Sequence, residues 1–196
     1  DLVAYQDRAY ARRYLRHIAE VHRRERAALP DRPPVLTETV ARHLHKLMAY
    51  KDEYEVARLC LDPALDAQVR SRFGEDVAYA FRLHPPMLRA LGLGHKVAVP
   101  AEVARPAFRA LYAARRLRGS TLDPFGRARV RRVERALIDE YVRALARATT
   151  ALTPETIEAV VALAALPDRV RGYEEIKLAS VAAYRQAFAD ALSALM

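Results

Sequence analysis

Proline placement sets the strongest limit on how this chain can fold. Its 196 residues include eleven prolines and only six glycines, and the proline-free stretches carry apolar residues at helical spacing. Proline cannot continue a helical hydrogen-bond ladder, so these stretches read as helices of bounded length. Residues 2–29 predict one long helix. Ala11, Tyr14, Leu15, Ile18 and Val21 lie on one side, with Arg12, Arg13, Arg16, Arg23 and Arg24 opposite. Pro30, Pro33 and Pro34 end it. A second helix is predicted from Thr37 to Leu61 on the stripe Val40, Leu44, Leu47, Tyr54 and Leu61. Asp62-Pro63 then predicts a short helix ending near Phe73, with Gly74 as a left-handed cap.

The period changes after Gly74. Val77, Tyr79, Phe81 and Leu83 alternate with polar or small residues, which predicts a half-buried strand. Pro85-Pro86 closes it, and His95–Val99 is the expected return strand of a hairpin within about 76–99. Helices resume at Pro106–Leu117, with Gly119 as a cap, at Arg127–Ala148, from Thr153-Pro154 to Pro167, and at Tyr173–Leu195. Leu152 is placed to staple onto Ile157. The expectation is a mainly α fold: one domain over 1–196, about six to seven helices, with one β-hairpin insertion. The chain starts at Asp1 rather than Met, so it is read as a piece of a longer polypeptide.

Charge and cysteine content narrow the function classes. The net charge is +9, with 29 Arg and only four Lys among the cations, alongside 38 Ala and no Asn or Trp. That skew fits a codon-composition bias as well as an anionic partner. Cys60 is the only cysteine, which excludes an intrachain disulfide and a cysteine-rich cluster, and fits a reducing cytoplasm. The histidines (His17, His22, His43, His45, His84, His95) include no i,i+4 pair for a metal, and the glycines form no phosphate loop. There is no nucleophile elbow, and Cys60 on a helix stripe reads as a buried thiol. No catalytic, cofactor-binding or metal-binding residue is assigned, and no apolar run is long enough for a membrane span.

Three polar features remain. The first is Lys46–Arg58, where Lys46, Tyr50, Lys51, Glu53, Tyr54, Glu55 and Arg58 form a polar pocket, an interdomain contact or an internal ion-pair network. Lys51 falls on the apolar stripe, with Glu55 four residues on to pair with it. The second is residues 103–135, with ten Arg against Asp123 and Glu134. Arg127, Arg129, Arg131, Arg132 and Arg135 crowd one helix start, where cations oppose the helix dipole. They read as a solvated face or as a docking site for an acidic partner. The third is the corner at Asp168, Arg169 and Arg171.

Five blocks, in order along the chain, resemble the C-terminal domain of the fused bacterial indolepyruvate ferredoxin oxidoreductases. They are Asp1–Asp7 with Tyr10–Tyr14, the run from Lys46 to Leu59 with Asp62-Pro63, Leu117–Arg127, Glu134–Tyr141 and Ala165–Tyr173. The resemblance implies an enzyme that oxidatively decarboxylates an aryl 2-oxoacid such as indolepyruvate, forming the acyl-CoA and reducing ferredoxin. It implies thiamine diphosphate with Mg and [4Fe-4S] clusters in the parent chain, and none of them in this piece. This piece is then a non-catalytic accessory domain, cytoplasmic, packing on other domains of the same chain or in a homodimer. Ferredoxin and coenzyme A are partners of the parent enzyme, and neither a membrane nor nucleic acid is expected as a partner. The reading from another class is an all-α nucleic-acid-binding or regulatory domain that uses its Arg-rich surface.

Overall fold

The first predicted helix is broken near its start. In the computed structural model, which describes residues 1–83, 97–172 and 174–195, α1 covers Leu2–Tyr5 and α2 covers Arg8–Ala28. Asp7 makes the break by capping α2, its carboxylate accepting from the Tyr10 amide at 2.8 Å. Tyr10, Tyr14, Ile18 and Val21 turn to the core, whereas Leu15 is exposed. The second predicted helix is broken as well. α3 runs Val35–Met48 and α4 runs Glu53–Cys60, with Asp52 accepting from the Glu55 amide at 2.9 Å as the cap.

That break also divides the chain. Residues Asp1–Tyr50 and Leu117–Met196 form one compact unit, and Lys51–Arg116 form a second, inserted between them in sequence. The expectation of a single domain therefore becomes a description of two units. Among the described residues the fold is mainly α, with one two-stranded antiparallel hairpin.

The first unit is a helical assembly around α3, whose Leu36, Val40, Leu44 and Met48 are fully buried. α2 packs on it, as do α7 (Arg129–Ala148) and α8 (Ile157–Ala165). α9 (Glu174–Ala194) packs against α7 and α8. α3 begins after two prolines, so its first amides need outside acceptors. Glu25 supplies them from α2: its carboxylate accepts from the Leu36 and Thr37 amides, each at 2.8 Å, and from the Thr37 hydroxyl at 2.6 Å. α8 starts three residues later than Thr153-Pro154 predicts. Thr153–Thr156 instead make a turn in which the Thr156 hydroxyl donates to Ala151 O at 2.6 Å. Leu152 and Ile157 both reach the core, as the staple requires.

The second unit holds α4, α5 (Pro63–Phe73), β1 (Ala80–Leu83), β2 (Val97–Pro100) and α6 (Ala101–Ala113). Its core is Ala57 of α4 against Ala104 and Phe108 of α6. Phe81 pairs with Val99 across the hairpin and meets Phe108 edge-on at 5.2 Å, so the hairpin has the apolar backing it needs. The strand begins at Ala80, later than the alternation at Val77 suggests. α6 begins at Ala101 rather than Pro106, which sits in its second turn. Gly74 has φ +105° and ψ +155°, a glycine-only extended conformation rather than a left-handed cap. The turn residues His84, Pro85, Pro86, Gly92, Gly94 and His95, and the predicted helix start Tyr173, lie outside the described residues. Among the described residues no helix is long and apolar enough to cross a membrane.

Candidate functional site

The run Lys46–Arg58 is divided between the two units. Lys46 and Tyr50 belong to the first unit; Lys51, Glu53, Tyr54, Glu55 and Arg58 belong to the second. Lys46, in the last turn of α3, reaches the corner after α8. Its ammonium donates to Pro167 O at 3.2 Å, and to Asp168 O and a carboxylate oxygen of Asp168, both at 3.1 Å. Arg171 holds the other carboxylate oxygen at 2.5 Å. The two sequence features, the lysine run and the corner, thus meet at Asp168, while Arg169 stays exposed. Lys46 first and Arg171 second hold the Asp168 carboxyl below the usual carboxylate range.

In the second unit the predicted Lys51–Glu55 pair is replaced. Lys51 precedes α4 and is exposed, so it has left the apolar stripe. Glu55 turns to Arg58 in a two-bond contact of 2.7 and 2.8 Å, and that bond raises the Arg58 pKa. Tyr54 is buried, and Glu53 opens the helix, where its charge suits the dipole. Cys60 is half-buried against the small core, and burial pushes its thiol up.

The arginine cluster also divides. Arg127, Arg129 and Arg132 are exposed, as a docking face requires. Arg131 and Arg135 are not part of that face. Arg131 bonds one oxygen of buried Glu134 at 2.7 Å, and Lys177 of α9 bonds the other. Arg135 donates to Gly126 O at 2.7 Å. The loop before α7 is built on Asp123, which is 3% exposed. Its carboxylate accepts from the Gly119 amide at 2.7 Å and from the Phe125 amide at 3.0 Å. Arg118, also buried, lies 3.6 Å from the Tyr5 ring centre and donates to Tyr5 O. Tyr5 in turn donates its hydroxyl to Tyr50 O at 2.8 Å.

Sequence reasoning passed over Glu25, Arg118, Asp123 and Glu134 as working residues. Asp123 had a signal, a turn-forming Asp-Pro followed by Gly126. The other three read as ordinary members of charged runs.

A groove of about 620 Å³ runs along α3 and α8 within the first unit. Val35, Ile157 and Val161 give it apolar walls; Arg32, Arg42, His43 and Glu158 are its charged and titratable lining. Burial lowers the His43 pKa, and the neighbouring Lys46 and Arg42 add to this while Asp168 opposes it. Among the described residues no group of three or more His, Cys, Asp or Glu side chains is placed to hold a metal ion.

No curated protein and no solved structure matches the chain. One family model does, over residues 1–190, and its description is "Family of unknown function (DUF6537)". The chain therefore belongs to the DUF6537 family.

Proposed function

We propose that this chain is the C-terminal accessory domain of a thiamine-dependent 2-oxoacid ferredoxin oxidoreductase, acting on an aryl substrate such as indolepyruvate. The observation that carries this reading is the ordered series of five blocks resembling that family, spread over most of the chain. The use to which the blocks are put supports an architectural role. Lys46 is bound to Asp168, Asp123 to its own loop amides, and Glu134 to Arg131 and Lys177. Each of these groups works on an internal joint. The exposed Arg127, Arg129 and Arg132 remain for an acidic surface of a neighbouring domain, a second copy or ferredoxin.

The chemistry implied for the parent chain is oxidative decarboxylation to an acyl-CoA with electrons passing to ferredoxin. A [4Fe-4S] cluster takes four thiolates, and Cys60 is the only thiol here, so this chain's donors do not fit one. Thiamine diphosphate, Mg, the clusters and the coenzyme A site are assigned to other domains of the parent.

The test is charge reversal at Arg129 and Arg132 in the full-length enzyme. Assembly is read by light scattering, and function by CoA-dependent ferredoxin reduction with indolepyruvate. A loss of assembly or of ferredoxin coupling, with an unchanged melting temperature for this domain, supports the reading. Unchanged assembly and coupling refute the docking face. A coding sequence adjoining Asp1 without a thiamine-binding region refutes the assignment itself.

A further inference from the structure

The groove along α3 and α8 carries polar groups that the internal joints leave unused. His43 is 8% exposed, and neither of its ring nitrogens has a hydrogen-bond partner among the described residues; Nδ1 is closed off from solvent altogether. A buried polar nitrogen without a partner is unfavourable, and native structures retain few of them. Arg42 is the residue before His43 and lines the same groove, as does Arg32 from the α2–α3 connection. Among the described residues neither guanidinium is in an ion pair. The lining itself holds one carboxylate, Glu158, unpaired among the described residues; beside the groove Glu155 acts on Arg32 and Asp168 acts on His43. The lining therefore has two permanent cations against one anion, above walls formed by Val35, Ile157 and Val161.

We infer that this groove is a binding site for a small monocarboxylate with an apolar body. A volume of about 620 Å³ lies within the range of small-molecule sites. The carboxylate takes the guanidinium of Arg42, whose planar fork suits a two-oxygen acceptor. The apolar body lies on Ile157 and Val161, where it removes apolar surface from water. The unpaired guanidinium of Arg42 selects an anion over a cation, and the apolar walls select against inorganic anions. The inference does not depend on the role proposed for the parent chain, and either can fail alone.

The experiment titrates 4-phenylbutyrate into the 196-residue chain by calorimetry, and follows the His43 ring resonances by NMR. Neutral 4-phenylbutyramide is the comparator. Expected are one site with a dissociation constant below about 1 mM, a shift of the His43 resonances that saturates with the heat, and binding of the amide at least about tenfold weaker. Arg42→Gln weakens the carboxylate about tenfold and leaves the amide unchanged; Val161→Glu removes binding of both. Far-UV circular dichroism checks that each variant is folded. Absence of heat and of a His43 shift at about 5 mM ligand overturns the inference. So does equal affinity for acid and amide in the native chain, a comparison that needs no variant. If the groove is instead covered by another protein segment, the native chain shows no binding of the probe, and the small-molecule assignment is wrong.

Discussion

Gly126 and Asp123 allow the loop before α7 to be tested quantitatively. A Cβ added at Gly126 would lie 2.5 Å from Asp123 Oδ2 and 2.8 Å from its Cγ. Both are far inside van der Waals contact. A flexible side chain would swing away, but this carboxylate is fixed by the Gly119 and Phe125 amides. Gly126→Ala must break those bonds or move the backbone. Hydrogen bonds to a charged group contribute about 1.5–3 kcal/mol each, and these two are only part-buried, so water recovers some of the loss. The expected cost is about 2–3 kcal/mol, or about 5–10 °C in the melting of the first unit. Asp123→Ala removes the same two bonds and costs about the same. In the double variant the added methyl no longer meets a carboxylate. Its remaining close neighbour is the Arg135 side chain, at 3.2 Å. The double variant should therefore cost no more than about 3 kcal/mol, with a coupling of about 2 kcal/mol between the sites. Urea unfolding of the four proteins gives the cycle. Additive losses, near 5 kcal/mol in the double variant, would refute the argument, because the methyl would then be acting on something other than Asp123.

Two further outcomes follow from buried tyrosines and from the corner. Tyr141 and Tyr184 are both buried, but the Tyr141 hydroxyl donates to Ala164 O at 2.7 Å whereas the Tyr184 hydroxyl has no partner among the described residues. Thermal unfolding should show Tyr141→Phe destabilised by about 1 kcal/mol and Tyr184→Phe neutral or more stable; the reverse order would contradict the hydrogen-bond assignment. At the corner, the Asp168 pKa is depressed by Lys46 and Arg171. A carboxylate depressed in the folded state adds stability above its unfolded pKa of about 3.9, and that stability is lost as the pH falls through the folded value. Lys46→Met should therefore melt lower than the native chain at neutral pH, with the gap narrowing as the pH falls below the unfolded carboxylate value. A gap that is constant across the pH range would mean that the bonds from Lys46 to the two carbonyls carry the whole effect.

Much of the helical pattern was legible because the long helices of the first unit bury one face. The stripes Val40, Leu44, Leu47 and Leu137, Tyr141, Leu145 are core in the structure. The breaks were not legible, because Asp7 and Asp52 are also acceptable residues on the solvent side of a continuous helix. Only tertiary packing decides that they cap new ones. Leu15 faces solvent because it lies about 100° round α2 from Tyr14, beyond the edge of the stripe that Tyr14, Ile18 and Val21 form. The arginine cluster was half legible. Charge density located it, but nothing in a run of arginines says that Arg131 and Arg135 turn toward Glu134 and Gly126. Lys46 and Asp168 were each singled out, and their meeting was not, because they lie 122 residues apart.

Tyr5 gives a physical reason for three of the resembling blocks to occur together. The chain leaves the first unit after Tyr50 and comes back at Leu117. Tyr5 holds both points: its hydroxyl bonds the Tyr50 carbonyl, and its ring and carbonyl bind Arg118. Asp123, five residues after Arg118, then fixes the returning chain through the Gly119 amide. The neck of the insertion is thus built from the first block, the end of the lysine run and the Arg-Gly-Ser-Thr loop. An insertion of any length adds only a slowly growing closure entropy, so its cost lies mainly in fixing its two ends. Tyr5 and Arg118 meet that cost with one ring, one guanidinium and one hydroxyl. A change at Tyr5, at the Tyr50 carbonyl or at Arg118 must therefore be felt at the other two.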